Sequence, residues 1–327
     1  MEDKNEGAEV IRSTDLCLSR KNENFDSSML IFQDSIFEQF SLASAQTCLC
    51  DSNVDKLIQI SATRTPMGSF LGGLSSLAAP KLGAIAIKAA IERAGISKDE
   101  VTEVYMGNVC QASLGQAPAR QATLFAGLPK STICTTVNKV CASGMKSIML
   151  ASQSLQCGHQ EIVLAGGMES MSNVPFYLPR GEIKYGGIKL EDGIVFDGLT
   201  DVYNKFHMGN CAENTAKKLS ITRDEQDRGN PDIVFNEDEE YKKVNFDKFG
   251  KLNTVFQKEN GTVTAGNAST LNDGAAALIL TTTVVAQKMN LKPLARVIAF
   301  QDAATDPIDF PTAPSFGISK VNFLRHI

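Results

Sequence analysis

From Lys56 onward the chain alternates between two apolar periods. Short runs rich in Val, Ile and Leu at 57–61, 101–106, 133–140, 161–165, 277–281 and 294–300 read as strands. Between them the spacing turns helical. Leu82, Ile85, Ala86 and Ala89 share one predicted face after Pro80, which suits a first helical turn, and Gly95 marks the end. Residues 118–126 predict a short helix closed by Gly127, and Met145, Ile148, Met149 and Leu155 predict another that ends at Gly158. Strands alternating with helices predict an α/β protein with a mostly parallel sheet covered on both faces. Two stretches break the pattern. Residues 1–55 start polar and acidic, place Phe32, Ile36, Phe37 and Phe40 on one helical face, and read as a weakly ordered extension. Over 171–260 periodicity fades while glycines and charges rise, as in an excursion from the α/β core.

With 327 residues, 43% hydrophobic and 21% charged, the chain can bury a core. A net charge of -5 argues against electrostatic binding to nucleic acid or anionic membrane. No apolar run approaches the ~20 residues that span a bilayer. Eight cysteines in this setting do not read as a disulfide framework, and Cys48 and Cys50 lack the partners of a zinc site, so a reducing compartment is inferred. The first residues are not the Arg-rich, acid-poor segment of an imported protein.

Candidate chemistry centres on Cys141, at the junction of the 133–140 run and the following helix. If Cys141 opens that helix, unpaired backbone N–H groups and the positive end of the helix dipole favour a thiolate there. The bland alternative is a small buried core cysteine. Gly166 and Gly167 read as turn punctuation after a strand, as a phosphate cradle, or as a point of close backbone packing. By itself His207 reads as a hydrogen-bonded structural residue, and Lys242, Lys243 and Lys248 as solvated surface amid acidic neighbours.

The run Val140-Cys141-Ala142-Ser143-Gly144, followed by Ala165-Gly166-Gly167-Met168-Glu169-Ser170-Met171-Ser172, resembles the nucleophile region of the thiolase family. Further matching blocks are Ser61 to Pro66, Met106 to Val109 and Asn267 to Ala276, so the resemblance runs from about Lys56 to about Pro314. It implies a thiolase-like fold: an N-terminal half with a loop domain, with most of the C-terminal half missing. In domains, 1–55 is a non-family extension, 56–170 and 261–283 the N-terminal α/β domain, 171–260 the loop domain, and 284–327 a remnant of the C-terminal domain with a divergent tail. The implied activity is acetyl-CoA C-acetyltransferase, condensing two acetyl-CoA or cleaving acetoacetyl-CoA through a Cys141 acyl-enzyme. No cofactor is required, and coenzyme A thioesters are the substrates. By the same resemblance His207 and Met208 line the acyl pocket, and Lys243, Val244, Asn245, Lys248 and Ser269 contact coenzyme A. Backbone oxygens of Ala265, Gly266 and Ala268 would help to hold a potassium ion. The implied partners are an acyl-CoA and either a second copy of the chain or full-length thiolase subunits. The implied location is mitochondrial, with the cytoplasm as the alternative.

The sequence departs from the family in two places. It passes directly from Asp227 to Gly229 across a position where thiolases insert a helix and a strand, which shortens the loop domain near 228. The Asn-Glu-Ala-Phe, Gly-His-Pro and Cys-x-Gly motifs have no counterpart, and the histidines are His159, His207 and His326. In the family those motifs activate the nucleophile, move a carbon-bound proton and stabilise the enolate. General acid–base groups contribute ~100- to 10,000-fold and each oxyanion donor ~100- to 1,000-fold, so a non-catalytic form that binds acyl-CoA or full-length subunits stands as the alternative.

Overall fold

The computed structural model describes residues 56–181, 185–226, 238 and 246–325. The expectations for residues 1–55, for Lys243, Val244 and Asn245, and for the junction near 228 lie outside the described residues.

In chain order the elements are β1 (Leu57–Arg64), β2 (Gly68–Ser69), α1 (Ala79–Ala94), β3 (Glu103–Gly107), α2 (Pro118–Phe125), β4 (Ile133–Val137), α3 (Ser143–Gln156) and β5 (Ile162–Ser170). The excursion then carries two small hairpins, β6 (Phe176–Tyr177) with β7 (Glu191–Asp192), and β8 (Thr200–Asp201) with β9 (Phe206–His207). The helix α4 (Gly209–Lys218) and the single turns α5 (Arg223–Gln226) and α6 (Phe246–Phe249) follow. Last come β10 (Asn272–Thr282), α7 (Thr283–Lys288), β11 (Ala295–Arg296) and α8 (Ala313–Arg325). None of the described helices is long and apolar enough to cross a membrane.

The main sheet runs β11-β1-β10-β5-β3-β4, with β2 added on β10. Only β3–β4 and β3–β5 are parallel, whereas β10 lies antiparallel between β1 and β5. The expected mostly parallel sheet is therefore a mixed one. The reason is that β10, arriving about a hundred residues after β5, is admitted by its own apolar run rather than by a βαβ crossover. The α/β class itself holds.

The central strand β5 is buried along its whole length, and its side chains alternate between the two faces. Ile162, Leu164 and Met168 join Leu82, Ile87 and Ile91 of α1 in the larger core, while Val163 and Ala165 pack with Ala151 and Leu155 of α3. Each fully buried Leu, Ile or Val contributes roughly 1.5–3 kcal/mol. Gly166 and Gly167 lie inside this strand, not after it, which leaves the close-packing reading. A Cβ at Gly166 would stand 2.1 Å from the Ala276 carbonyl oxygen on β10.

Two further expectations need correcting. Ile85 is 51% exposed, because the inward face of α1 is the Leu82, Ala86, Ile87, Ala90 and Ile91 stripe, one position round from the predicted face. The run 294–300 forms only the short β11, which pairs with β1 at the edge of the same sheet. The tail beyond it turns helical as α8, and Asp302 ties the preceding segment back onto the loop after β4.

Candidate active site

Because β3, β4 and β5 are parallel, the loops at their carboxyl ends meet on one edge of the sheet, the usual place for a ligand in an α/β protein. Cys141 sits in the loop between β4 and α3. The chain reverses there in five residues. Val140 takes φ 49°, a left-handed conformation that costs a β-branched residue about 1–3 kcal/mol and that the surroundings must hold. They do so with local hydrogen bonds. The Lys139 N–H donates to Ser143 Oγ at 2.8 Å, that hydroxyl donates to the Val140 carbonyl at 2.5 Å, and the Val140 N–H donates to Asn138 Oδ1 at 3.0 Å. From below, Gly107 ends β3 against the helix start, where a Cβ would approach the backbone of Ser143 and Gly144 to 2.6 Å.

The thiol is not in the state the sequence predicted. The helix begins at Ser143 with Ala142 as its N-cap, so Cys141 lies just outside the first turn. Burial pushes the Cys141 thiol up to about 12; its own backbone N–H pulls the other way, and the charge of Glu169 adds to the rise. Desolvation here outweighs the helix end. His159 and His207 are the histidines among the described residues, and neither is hydrogen-bonded to Cys141.

Behind the turn stands a buried polar network. Glu169, 2% exposed at the end of β5, accepts hydrogen bonds from Asn108 Nδ2 at 2.9 Å, from the Val109 N–H at 2.9 Å and from the Cys110 N–H at 3.4 Å. Burial raises its carboxyl to about 7 against the pull of those donors. Cys110 is buried beside it, and desolvation, then the charges of Glu169, Asp197 and Asp192, hold that thiol up at about 12. At the rim, Asp302 bridges Lys139 and Lys146, the residues two before and five after Cys141, with Lys146 at 2.5 Å. Burial works against the Asp302 charge, but the two ammonium groups hold its carboxyl below the usual range.

The remaining candidates lie along one path from this centre. A Cβ built on Gly198 would stand 3.9 Å from Cys110 Sγ, and the carbonyl of the next residue, Leu199, accepts the Met208 N–H at 2.9 Å. Met208 is half-buried at the start of α4. His207, just before it, stacks on Phe256 with ring centroids 4.8 Å apart, and its Nδ1 accepts the Gly209 N–H at 3.1 Å. Burial lowers its pKa, which favours the neutral ring. Thr254 bridges Thr264, which opens the turn containing Ala265, Gly266 and Ala268. A Cβ at Gly266 would meet Phe249 of α6, so Lys248 belongs to the same neighbourhood. Among the described residues no hydrogen bond uses the carbonyls of Ala265, Gly266 or Ala268, while the Ala268 and Gly266 N–H groups both donate back to Thr264. Ser269 is exposed next to them. No three His, Cys, Asp or Glu side chains gather into a metal site among the described residues.

Sequence reading passed over four features of this centre: the strained Val140, Cys110, the Asp302 bridge and Glu169. For Glu169 the signal was available, since a carboxylate in an apolar run such as Ile162–Ser170 must be buried or functional. Cys110 and the Asp302 bridge depend on contacts distant in sequence, and the left-handed Val140 on a local turn that apolar periodicity does not report.

The chain matches the model of the thiolase N-terminal domain over residues 57–229 and 227–283, two stretches that meet where the shortening near 228 was read. It is 63% identical over 298 residues to mitochondrial acetyl-CoA acetyltransferase of Xenopus tropicalis, covering 82% of this chain and 71% of that protein. The corresponding human protein is 62% identical over 296 residues, covering 81% of this chain and 69% of the relative. Among solved structures, the Acat5 thiolase of Ascaris suum in complex with coenzyme A superimposes with a TM-score of 0.77 at 41% identity, covering 81% of this chain and 76% of that one. With the parallel β3–β4–β5 unit carrying the cysteine turn, these matches establish that the chain belongs to the thiolase family.

Proposed function

We propose that this chain acts on acetyl-CoA in the manner of the acetyl-CoA acetyltransferases it resembles, with Cys141 accepting the acetyl group. The observation that carries this reading is the turn itself: a cysteine presented at the carboxyl edge of the sheet next to a left-handed Val140 that local hydrogen bonds hold in place. Acyl transfer to sulfur requires the thiol to lose its proton, the thioester carbon to be attacked and the coenzyme A thiolate to leave and take up a proton. The coenzyme would lie along the path through Met208 and His207 toward Lys248 and Ser269, with Lys243, Val244 and Asn245 on the segment that follows Asp238. The carbonyls of Ala265, Gly266 and Ala268 are the candidate potassium ligands. In domain terms, 56–170 with 261–283 would be the N-terminal α/β domain, 171–260 the loop domain, and 284–327 a remnant of the C-terminal domain with a divergent tail. By likeness to relatives named as mitochondrial, the mitochondrion is the proposed location, and a second copy of the chain or a full-length thiolase subunit the proposed protein partner.

A second reading, acyl-CoA binding without turnover, is favoured by one observation. The Cys141 thiol is held near 12, and no described histidine contacts it to take its proton. Thiolysis of acetoacetyl-CoA by the purified chain, with Cys141→Ala alongside, separates the two. Turnover by wild type and none by the variant supports the transferase reading. No turnover by either, with acetyl-CoA still binding, establishes the second.

A further inference from the structure

We infer that Glu169 is a positioning residue for the Cys141 turn, acting through the Val109 peptide and the Asn138 side chain, and that its proton state sets how readily Cys141 ionises. This rests on the reading of Cys141 as the reactive thiol. The contacts are continuous: Glu169 Oε2 accepts the Val109 N–H at 2.9 Å, the Val109 carbonyl lies 3.5 Å from its donor Asn138 Nδ2, and Asn138 Oδ1 accepts the Val140 N–H at 3.0 Å. The last of these holds the left-handed residue just before the nucleophile. A buried carboxylate is costly unless something pairs with it, and no Lys, Arg or His among the described residues forms an ion pair with Glu169. Asn108 offers a second sign that the network has another state. It is 1% exposed, its Nδ2 serves the Met168 carbonyl and Glu169, and its buried Oδ1 has no partner among the described residues. A protonated Glu169 supplies the missing kind of group, an O–H donor, within the same cluster.

Among the described residues the titratable groups facing Glu169 are all acids. Cys110 comes from the loop after β3, Cys141 from the loop after β4, and Asp273 from β10, one register position from Glu169's partner Gly274. Asp192 and Asp197 bear on Cys110 from the excursion. The nearest ammonium groups to Cys141 in sequence, Lys139 and Lys146, are both engaged by Asp302. The sign of the coupling follows. While Glu169 is neutral the Cys141 thiol ionises more readily; once Glu169 is charged, at pH above about 7, a second negative charge nearby is resisted.

The test is the rate of Cys141 alkylation by iodoacetamide in the purified full chain, followed on the Cys141 peptide by mass spectrometry from about pH 5 to pH 9. Alkylation needs only the thiolate, not acyl transfer. In wild type the logarithm of the rate should climb with pH, flatten around pH 7 and climb again. Glu169→Gln keeps an acceptor for the Val109 N–H and removes the charge; its profile should climb without a flat region and run about tenfold above wild type on the alkaline side. Asn138 is exposed, so Asn138→Ala should leave the core folded. It keeps the charge and cuts the link, and should retain the flat region while displacing the whole curve by a constant factor. A straight wild-type profile overturns the inference even if Glu169→Gln does not fold, as does a flat region that persists in Glu169→Gln. An Asn138→Ala curve superimposed on wild type overturns the positioning role. Absence of acetoacetyl-CoA thiolysis alongside the predicted profiles would count against the transferase reading alone.

Discussion

Two carboxylates hold the Cys141 turn from opposite sides, and their surroundings differ in one respect. Asp302 reaches the turn from the rim and meets two ammonium groups, on Lys139 and Lys146. Glu169 reaches it from inside and meets only N–H dipoles. The acidity of the first is strengthened and that of the second weakened, although both are removed from water. Burial alone therefore does not decide what a carboxylate does at this site; the charge of its partner does. Cys141 lies between an outer clamp that stays ionised at neutral pH and an inner one that titrates there.

The largest expected effect removes the floor common to both sides. Gly107→Ala drives a methyl into the backbone of Ser143 and Gly144, which has no rotamer to retreat to. It should cost about 3 kcal/mol or more in urea unfolding and displace the turn, so that Cys141 alkylation loses its pH structure as well.

Next comes the inner carboxylate. With a folded value of about 7 against 4.5 unfolded, Glu169 favours the folded state fully below pH 4.5, and that contribution is lost as pH rises through 7. Wild type should thus lose roughly 2–3 kcal/mol between those limits, and Glu169→Gln should be flatter across the same window by thermal melting.

The outer carboxylate should behave with the opposite sign. The Asp302 contribution is present above the unfolded carboxylate value of 3.8 and lost as pH falls below it. Asp302→Ala strands two lysines whose side chains are only 15% and 24% exposed, and should cost about 2 kcal/mol at neutral pH. The smallest effect sharpens the comparison most. Val140→Gly relieves the left-handed strain and should stabilise the chain by about 1 kcal/mol while slowing acetyl transfer to Cys141, since a turn no longer forced into shape is no longer held in it.

Much of the fold was legible because it is local. The apolar runs that became β1, β3, β4 and β5 and the glycines that end α1 and α3 are properties of neighbouring residues. Cys141 was found the same way, together with its motif. What escaped is non-local. Nothing in the run 277–281 says that β10 will enter antiparallel between β1 and β5, and Ile85 looks as buried as Ile87 until α1 is seated on the sheet. The expected thiolate failed for a physical reason: the helix end is a property of the local backbone, whereas the burial that overrides it, with the added charge of Glu169 on β5, depends on the tertiary packing.

Whether Cys141 accepts an acetyl group is decided by mixing the full chain with acetyl-CoA, quenching, and locating the acetyl group by peptide mass spectrometry. Acetylation should fall on the Cys141 peptide, disappear in Cys141→Ala and leave Cys110, Cys134, Cys157 and Cys211 unmodified. Acetyl groups spread over the other cysteines, or none on Cys141 under conditions where acetyl-CoA is bound, would contradict acetyl transfer to Cys141.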